Sequence, residues 1–105
     1  WSGSAALAER LSLGLGKVTT GSSFDMTTEE ERIIDDNGGR LKEMEGAAVG
    51  FVCSLFGTPV LYVKAVTNLR DDEEDDMYAF HDNLRLATDN LRTVNESIIR
   101  ILTTE

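Results

Sequence analysis

The chain has 105 residues, 41% hydrophobic and 28% charged, with a formal net charge of −9. This composition suits one small globular domain at most. The acidic balance argues against a nucleic-acid polymer or an anionic membrane as partner, since phosphate binding needs clustered Lys and Arg. No run approaches the roughly 18 apolar residues of a spanning helix.

In chain order, Ala5 to Leu13 carries Leu7, Leu11 and small alanines, a short amphipathic helical pattern ending toward Gly14 and Gly16. Lys17-Val18-Thr19-Thr20 predicts a short strand leading into Gly21-Ser22-Ser23-Phe24. Thr27 and Thr28, each followed three residues later by a glutamate, predict competing capping boxes for a helix that stops at Asn37-Gly38-Gly39. Leu41 to Met44 predicts another short strand. Glu45 to Phe56 predicts a helix with Val49, Val52, Cys53 and Phe56 on one side, Gly57 at its C′ position and Pro59 beyond.

Val60 to Val66 is a nearly continuous apolar run, as in a strand covered on both faces. The acidic run Asp71 to Asp76 follows. From about Met77, Phe80, Leu84, Ala87, Leu91, Val94, Ile98 and Ile101 recur at steps of three and four, predicting a long amphipathic helix. Alternating helices and strands indicate α/β architecture. The strands need more partners than this chain supplies, which suits half of a larger sheet. Trp1 is not an initiator Met and no signal peptide is read, so the chain is expected to be a fragment. The single Cys53 has no internal disulfide partner, so a reducing, cytoplasmic setting is expected.

Three segments stand out: Thr20-Gly21-Ser22-Ser23-Phe24-Asp25-Met26, Glu43-Met44-Glu45-Gly46-Ala47-Ala48 and Ala65-Val66-Thr67-Asn68. Their order and spacing resemble the C-terminal half of the nucleoside phosphorylase and nucleosidase superfamily. Their wording most resembles the plant-type 5′-methylthioadenosine/S-adenosylhomocysteine nucleosidases. The resemblance implies the C-terminal half of a three-layer αβα fold with a mixed central sheet, residues 1–105 being part of one domain whose N-terminal half is absent. It implies a small-molecule nucleoside substrate, no cofactor, and a homodimer. The general base and the residues lent by a second subunit would lie outside this segment, so the isolated 105 residues are expected to be inactive.

Cleaving an N-glycosidic bond passes through an oxocarbenium-like ribose. A carboxylate against the ribose hydroxyls accepts hydrogen bonds that strengthen as that charge develops. By resemblance this is Glu45, with Met44 packing against the sugar; the alternative is that Glu45 merely starts a helix, where a carboxylate favours the dipole. Glu43, two residues earlier, would point to the same side as Glu45 in a strand, and would help hold the ribose or a water. Phe24 resembles the residue that stacks on the purine, and Asp25 would offer its backbone N–H and C=O to the base edge.

Asn68 departs from the family pattern. The nucleosidases have there an Asp that protonates purine N7, which an amide cannot do, although its NH₂ can donate a hydrogen bond. An Asn in this role resembles the trimeric purine nucleoside phosphorylases. The chain is thus an engineered variant, an enzyme with shifted base preference, or a catalytically impaired nucleoside-binding homologue. Phosphorolysis of a purine nucleoside, or of uridine, is the alternative to hydrolysis. By resemblance Thr67 would orient Asn68 or a water; the alternative is a β-branched residue that simply ends a strand.

Other features read as structural. The run from Asp71 fails the calcium-loop pattern, which needs Gly at its sixth position and Glu at its twelfth; it reads as a solvated loop. His81 is the only histidine and has no companion ligands for a metal. Cys53 reads as core.

Overall fold

A computed structural model describes residues 1–69 and 76–104. The acidic run through residue 75 lies outside the described residues. The chain divides into two compact units, Trp1–Tyr62 and Val63–Glu105.

The first unit begins with α1, Ser4–Arg10, built of strong helix formers. It is shorter than the pattern to Leu13 predicts. Ser12 takes a left-handed φ of 55°. Its N–H donates to the Glu9 carbonyl (3.1 Å) and that of Leu13 to the Ala8 carbonyl (2.8 Å). This is the Schellman closure, and it turns the chain before either expected glycine.

β1 (Lys17–Thr20) and β2 (Gly39–Glu43) pair in parallel, joined by α2 (Thr28–Asp36), a βαβ unit. Thr27 wins the competition for the cap of α2. Its hydroxyl accepts from the Glu30 N–H (3.1 Å), and the Glu30 carboxylate accepts from the Thr27 N–H (3.0 Å). Gly38, at a φ of 69°, ends α2 where the Asn-Gly-Gly breaker is expected.

The register places Val18 opposite Leu41, Thr19 opposite Lys42 and Thr20 opposite Glu43. Lys17 is paired with Gly39, so the ladder is irregular between Lys17 and Val18. The Thr19 hydroxyl also donates to the Leu41 carbonyl (2.6 Å).

α3 spans Gly46–Leu55, within the expected bounds. Gly57, at a φ of 62°, closes it as the C′ residue: its N–H reaches the Ser54 carbonyl and that of Thr58 the Cys53 carbonyl. The apolar side predicted for this helix is largely uncovered within the chain. Val49, Val52 and Phe56 are exposed, together with Phe51 and Leu55, and Cys53 is half-buried. Gly46 is the one residue this helix buries, with Gly50 and Cys53 half-buried, while Ala47 and Ala48 are exposed. A Cβ on Gly50 would stand 2.5 Å from the Tyr62 hydroxyl.

The expected strand at Val60–Val66 does not form among the described residues. A strand exists only through its ladder, and β1 and β2 pair with each other and not with this run. The Val60 carbonyl instead accepts from the Trp1 ammonium (3.0 Å). In the first unit, Leu7 and Ala8 are the buried apolar side chains.

The second unit carries α4, Asp76–Thr104. Its predicted stripe is graded. Ala87 and Ile98 are buried, Phe80, Leu91, Val94 and Ile101 are half-buried, and Leu84 is exposed. The polar side is studded with hydroxyls that bond back one turn, as Thr88 does to the Leu84 carbonyl and Ser97 to that of Thr93. No helix among the described residues is long and apolar enough to cross a membrane.

Candidate active site

β2 ends at Glu43 and α3 starts at Gly46, so Met44 and Glu45 form a tight strand-to-helix turn. Glu45 is the N-cap residue by position, with φ −124° and ψ −20°, yet its side chain makes no capping hydrogen bond. The donors at this helix end go to Glu43 instead. One Glu43 carboxylate oxygen accepts from the Glu45 N–H (3.0 Å), and both accept from the Gly46 N–H (2.8 and 2.7 Å). A carboxylate there also complements the helix dipole.

Two expectations change as a result. Glu43 and Glu45 are not alternate residues of one strand, because β2 stops at Glu43 and the backbone turns, so strand alternation does not relate their side chains. The helix-starting carboxylate is Glu43, while Glu45 and Met44 are exposed.

Phe24 and Asp25 lie in the loop between β1 and α2, and both are exposed. The loop is tied down from β2. Lys42 Nζ donates to the Asp25 carbonyl (3.1 Å) and pairs with Glu30 (3.3 Å), its side chain only 9% exposed. The Ser23 hydroxyl donates to the same Asp25 carbonyl (3.0 Å). A carbonyl has two lone pairs, and these two donors engage both. Gly21 lets Lys42 pass beneath the loop: a Cβ there would stand 2.6 Å from its Cε.

Glu30, which caps α2 and pairs with Lys42, titrates below the ordinary glutamate value. The Thr27 N–H bond is the largest cause; desolvation opposes it, and the hydrogen bond and charge of Lys42 add to it. A cleft of about 420 Å³ opens beside this region, lined by Gly21, Ser22, Ser23, Glu30, Ile33 and Lys42 among others. Met44 and Glu45 do not line it.

Thr67 and Asn68 belong to the second unit. The Thr67 hydroxyl donates to Asn68 Oδ1 (2.9 Å). That bond assigns the amide: oxygen toward Thr67, NH₂ away from it. Asn83 of α4 holds the Thr67 carbonyl through Nδ2 (2.8 Å). His81 is exposed and meets the Phe80 ring edge-on, with centroids 5.8 Å apart. Among the described residues, no group of three or more His, Cys, Asp or Glu gathers as for a metal ion.

Thr20, Lys42, Tyr62 and Asn83 hold these parts in place, and sequence reasoning assigned none of them a role. The signal for Thr20 is its register opposite Glu43. For Lys42 it is a lysine inside a strand beside Gly21.

The sequence profile of the Phosphorylase superfamily matches residues 4–100. The chain belongs to this superfamily. It is 38% identical over 96 residues to a 5′-methylthioadenosine nucleosidase of Arabidopsis thaliana, covering 91% of this chain and 36% of the relative. A 5′-methylthioadenosine/S-adenosylhomocysteine nucleosidase of the same plant is 34% identical over 96 residues, covering 91% and 37%. One from Bacillus pumilus is 32% identical over 74 residues, covering 69% and 32%.

The solved apo structure of Arabidopsis thaliana 5′-methylthioadenosine nucleosidase superposes with a TM-score of 0.90 at 37% identity, over 96% of this chain and 41% of that one. The phosphorylase-superfamily chain therefore has the α/β nucleoside phosphorylase-like fold of that enzyme. It spans about two fifths of the length of these Arabidopsis relatives.

Proposed function

We propose that this chain is the sugar- and base-holding part of a nucleosidase. The complete protein hydrolyses the N-glycosidic bond of 5′-methylthioadenosine or S-adenosylhomocysteine and releases adenine. The observation that carries the reading is that Glu45 stands at the start of α3 without capping it. Helix initiation, the structural alternative for that carboxylate, is supplied by Glu43. Glu45 is then the acceptor for the ribose hydroxyls, where its negative charge opposes the positive charge developing on the sugar. Met44 packs against the sugar, Phe24 stacks on the purine, and the Asp25 N–H meets the base edge. The relatives' names support the substrate class. The reading extends to a homodimer, with the general base supplied from outside this segment, so that these 105 residues alone turn over no nucleoside.

Asn68 favours a second reading. With its oxygen bonded to Thr67, its NH₂ is the group left to meet an acceptor such as purine N7. That donor suits a phosphorylase of purine nucleosides, or a binder with impaired catalysis, better than an acid-catalysed hydrolase. One assay separates the readings: base release by the full-length protein from 5′-methylthioadenosine and from inosine, each with and without phosphate. Phosphate-independent adenine release supports the nucleosidase; phosphate-dependent release from inosine replaces it with the phosphorylase. Asn68→Asp is expected to raise adenine release by about 10²–10⁴, and an unchanged rate would remove position 68 from acid catalysis.

A further inference from the structure

We propose that Thr20 and Glu43 form a clamp that sets the Met44–Glu45 turn, making both positioning residues for Glu45. The proposal rests on Glu45 as the ribose carboxylate.

The two residues end the paired strands and face each other in register. The Thr20 hydroxyl donates to the Glu43 carboxylate (2.5 Å) and accepts from the Ala47 N–H (2.8 Å). Glu43 takes the N–H groups of Glu45 and Gly46. Three successive donors at the start of α3 therefore end on two strand side chains. A helix N-terminus normally depends on its own N-cap side chain; this one is tied to the ends of both strands.

Gly46 is held through both of its backbone groups, because its carbonyl accepts from the Tyr62 hydroxyl (2.7 Å) while its N–H goes to Glu43. Gly46 is also the residue that admits the carboxylate, since a Cβ there would stand 2.7 Å from Glu43 Oε1. Met44 and Glu45 are the link between these fixed points. Moving the clamp moves the Glu45 backbone, and misplacing a positioned group by about 1 Å costs on the order of 10² in rate. Glu43 thus serves the sugar through Glu45, in place of direct contact.

The test uses the full-length protein and the variants Thr20→Val, Thr20→Ser, Glu43→Gln and Glu45→Gln. Two quantities are read: hydrogen exchange at the Glu45, Gly46 and Ala47 amides without ligand, and the ratio of affinities for 5′-methylthioadenosine and its 2′-deoxy analogue. Thr20→Val and Glu43→Gln are expected to speed exchange at these amides by about tenfold or more and to shrink the ratio toward that of Glu45→Gln. Thr20→Ser, which keeps the hydroxyl, is expected to retain both wild-type values. Should Glu43→Gln not fold, Thr20→Val removes two of the clamp's hydrogen bonds, to Glu43 and from the Ala47 N–H, with no change of charge.

Unchanged exchange in folded Thr20→Val overturns the clamp. Faster exchange with an unchanged ratio overturns the positioning role. If Glu45→Gln itself leaves the ratio unchanged, the ribose reading fails and the positioning role falls with it, while the exchange data still decide the clamp.

Discussion

Lys42 reaches from β2 to the carbonyl of Asp25, 3.1 Å away, and so fastens the loop that carries Phe24 to the strand that carries Glu43. Lys42→Met removes the donor but keeps an unbranched apolar stem. The lost charge-assisted hydrogen bond is expected to cost about 1–3 kcal/mol in denaturant unfolding. Purine affinity should fall as well, because the ring of Phe24 loses its fixed mount. Unfolding and adenine-binding titrations on the same variant check both.

Ser12 and Gly57 occupy the same place in two Schellman closures, with φ of 55° and 62°. The left-handed region costs an L-residue roughly 1–2 kcal/mol that glycine avoids. Glycine gives back part of this through its freer unfolded chain. Ser12→Gly is expected to stabilise the protein by about 1 kcal/mol, measured by denaturant unfolding, with no effect on nucleoside affinity.

Glu30 titrates below the ordinary glutamate value, chiefly through the Thr27 N–H and then Lys42. A lowered folded-state value means that the unfolded chain binds the proton more readily. The stabilisation is therefore present above the unfolded value and is lost as pH falls through the folded one. Unfolding followed from pH 7 into the acid range should lose part of its pH dependence in Glu30→Gln. An identical slope in the two proteins would contradict this assignment.

Local chemistry made much of this fold legible. The Thr27–Glu30 box, the glycine after α3 and the breaker at Asn37-Gly38-Gly39 are short-range signals, and each stands where it was expected. The strand expected at Val60–Val66 rested on composition alone, and composition does not supply a ladder partner. The same limit hid the apolar side of α3: spacing identifies Val49, Val52 and Phe56 as one side, but does not say whether anything covers it. At the site, the Glu43-Met44-Glu45 motif was readable as a motif. The hydrogen bonds Glu43 makes within it were not, because they depend on the turn after β2 and on the parallel register that brings Thr20 opposite Glu43. The bond from Thr67 to Asn68 joins chain neighbours; that from Asn83 to Thr67 spans sixteen residues and has no local signal.

The central claim is that Glu43 starts the helix and Glu45 holds the sugar. Glu45→Gln tests it most directly when nucleoside affinity and unfolding free energy are measured on the same full-length variant. The expected result is an affinity for 5′-methylthioadenosine lower by about 10–100-fold, with stability within about 0.5 kcal/mol of the parent. Unchanged affinity accompanied by a loss of about 1 kcal/mol in stability would make Glu45 a helix-starting residue and contradict the account.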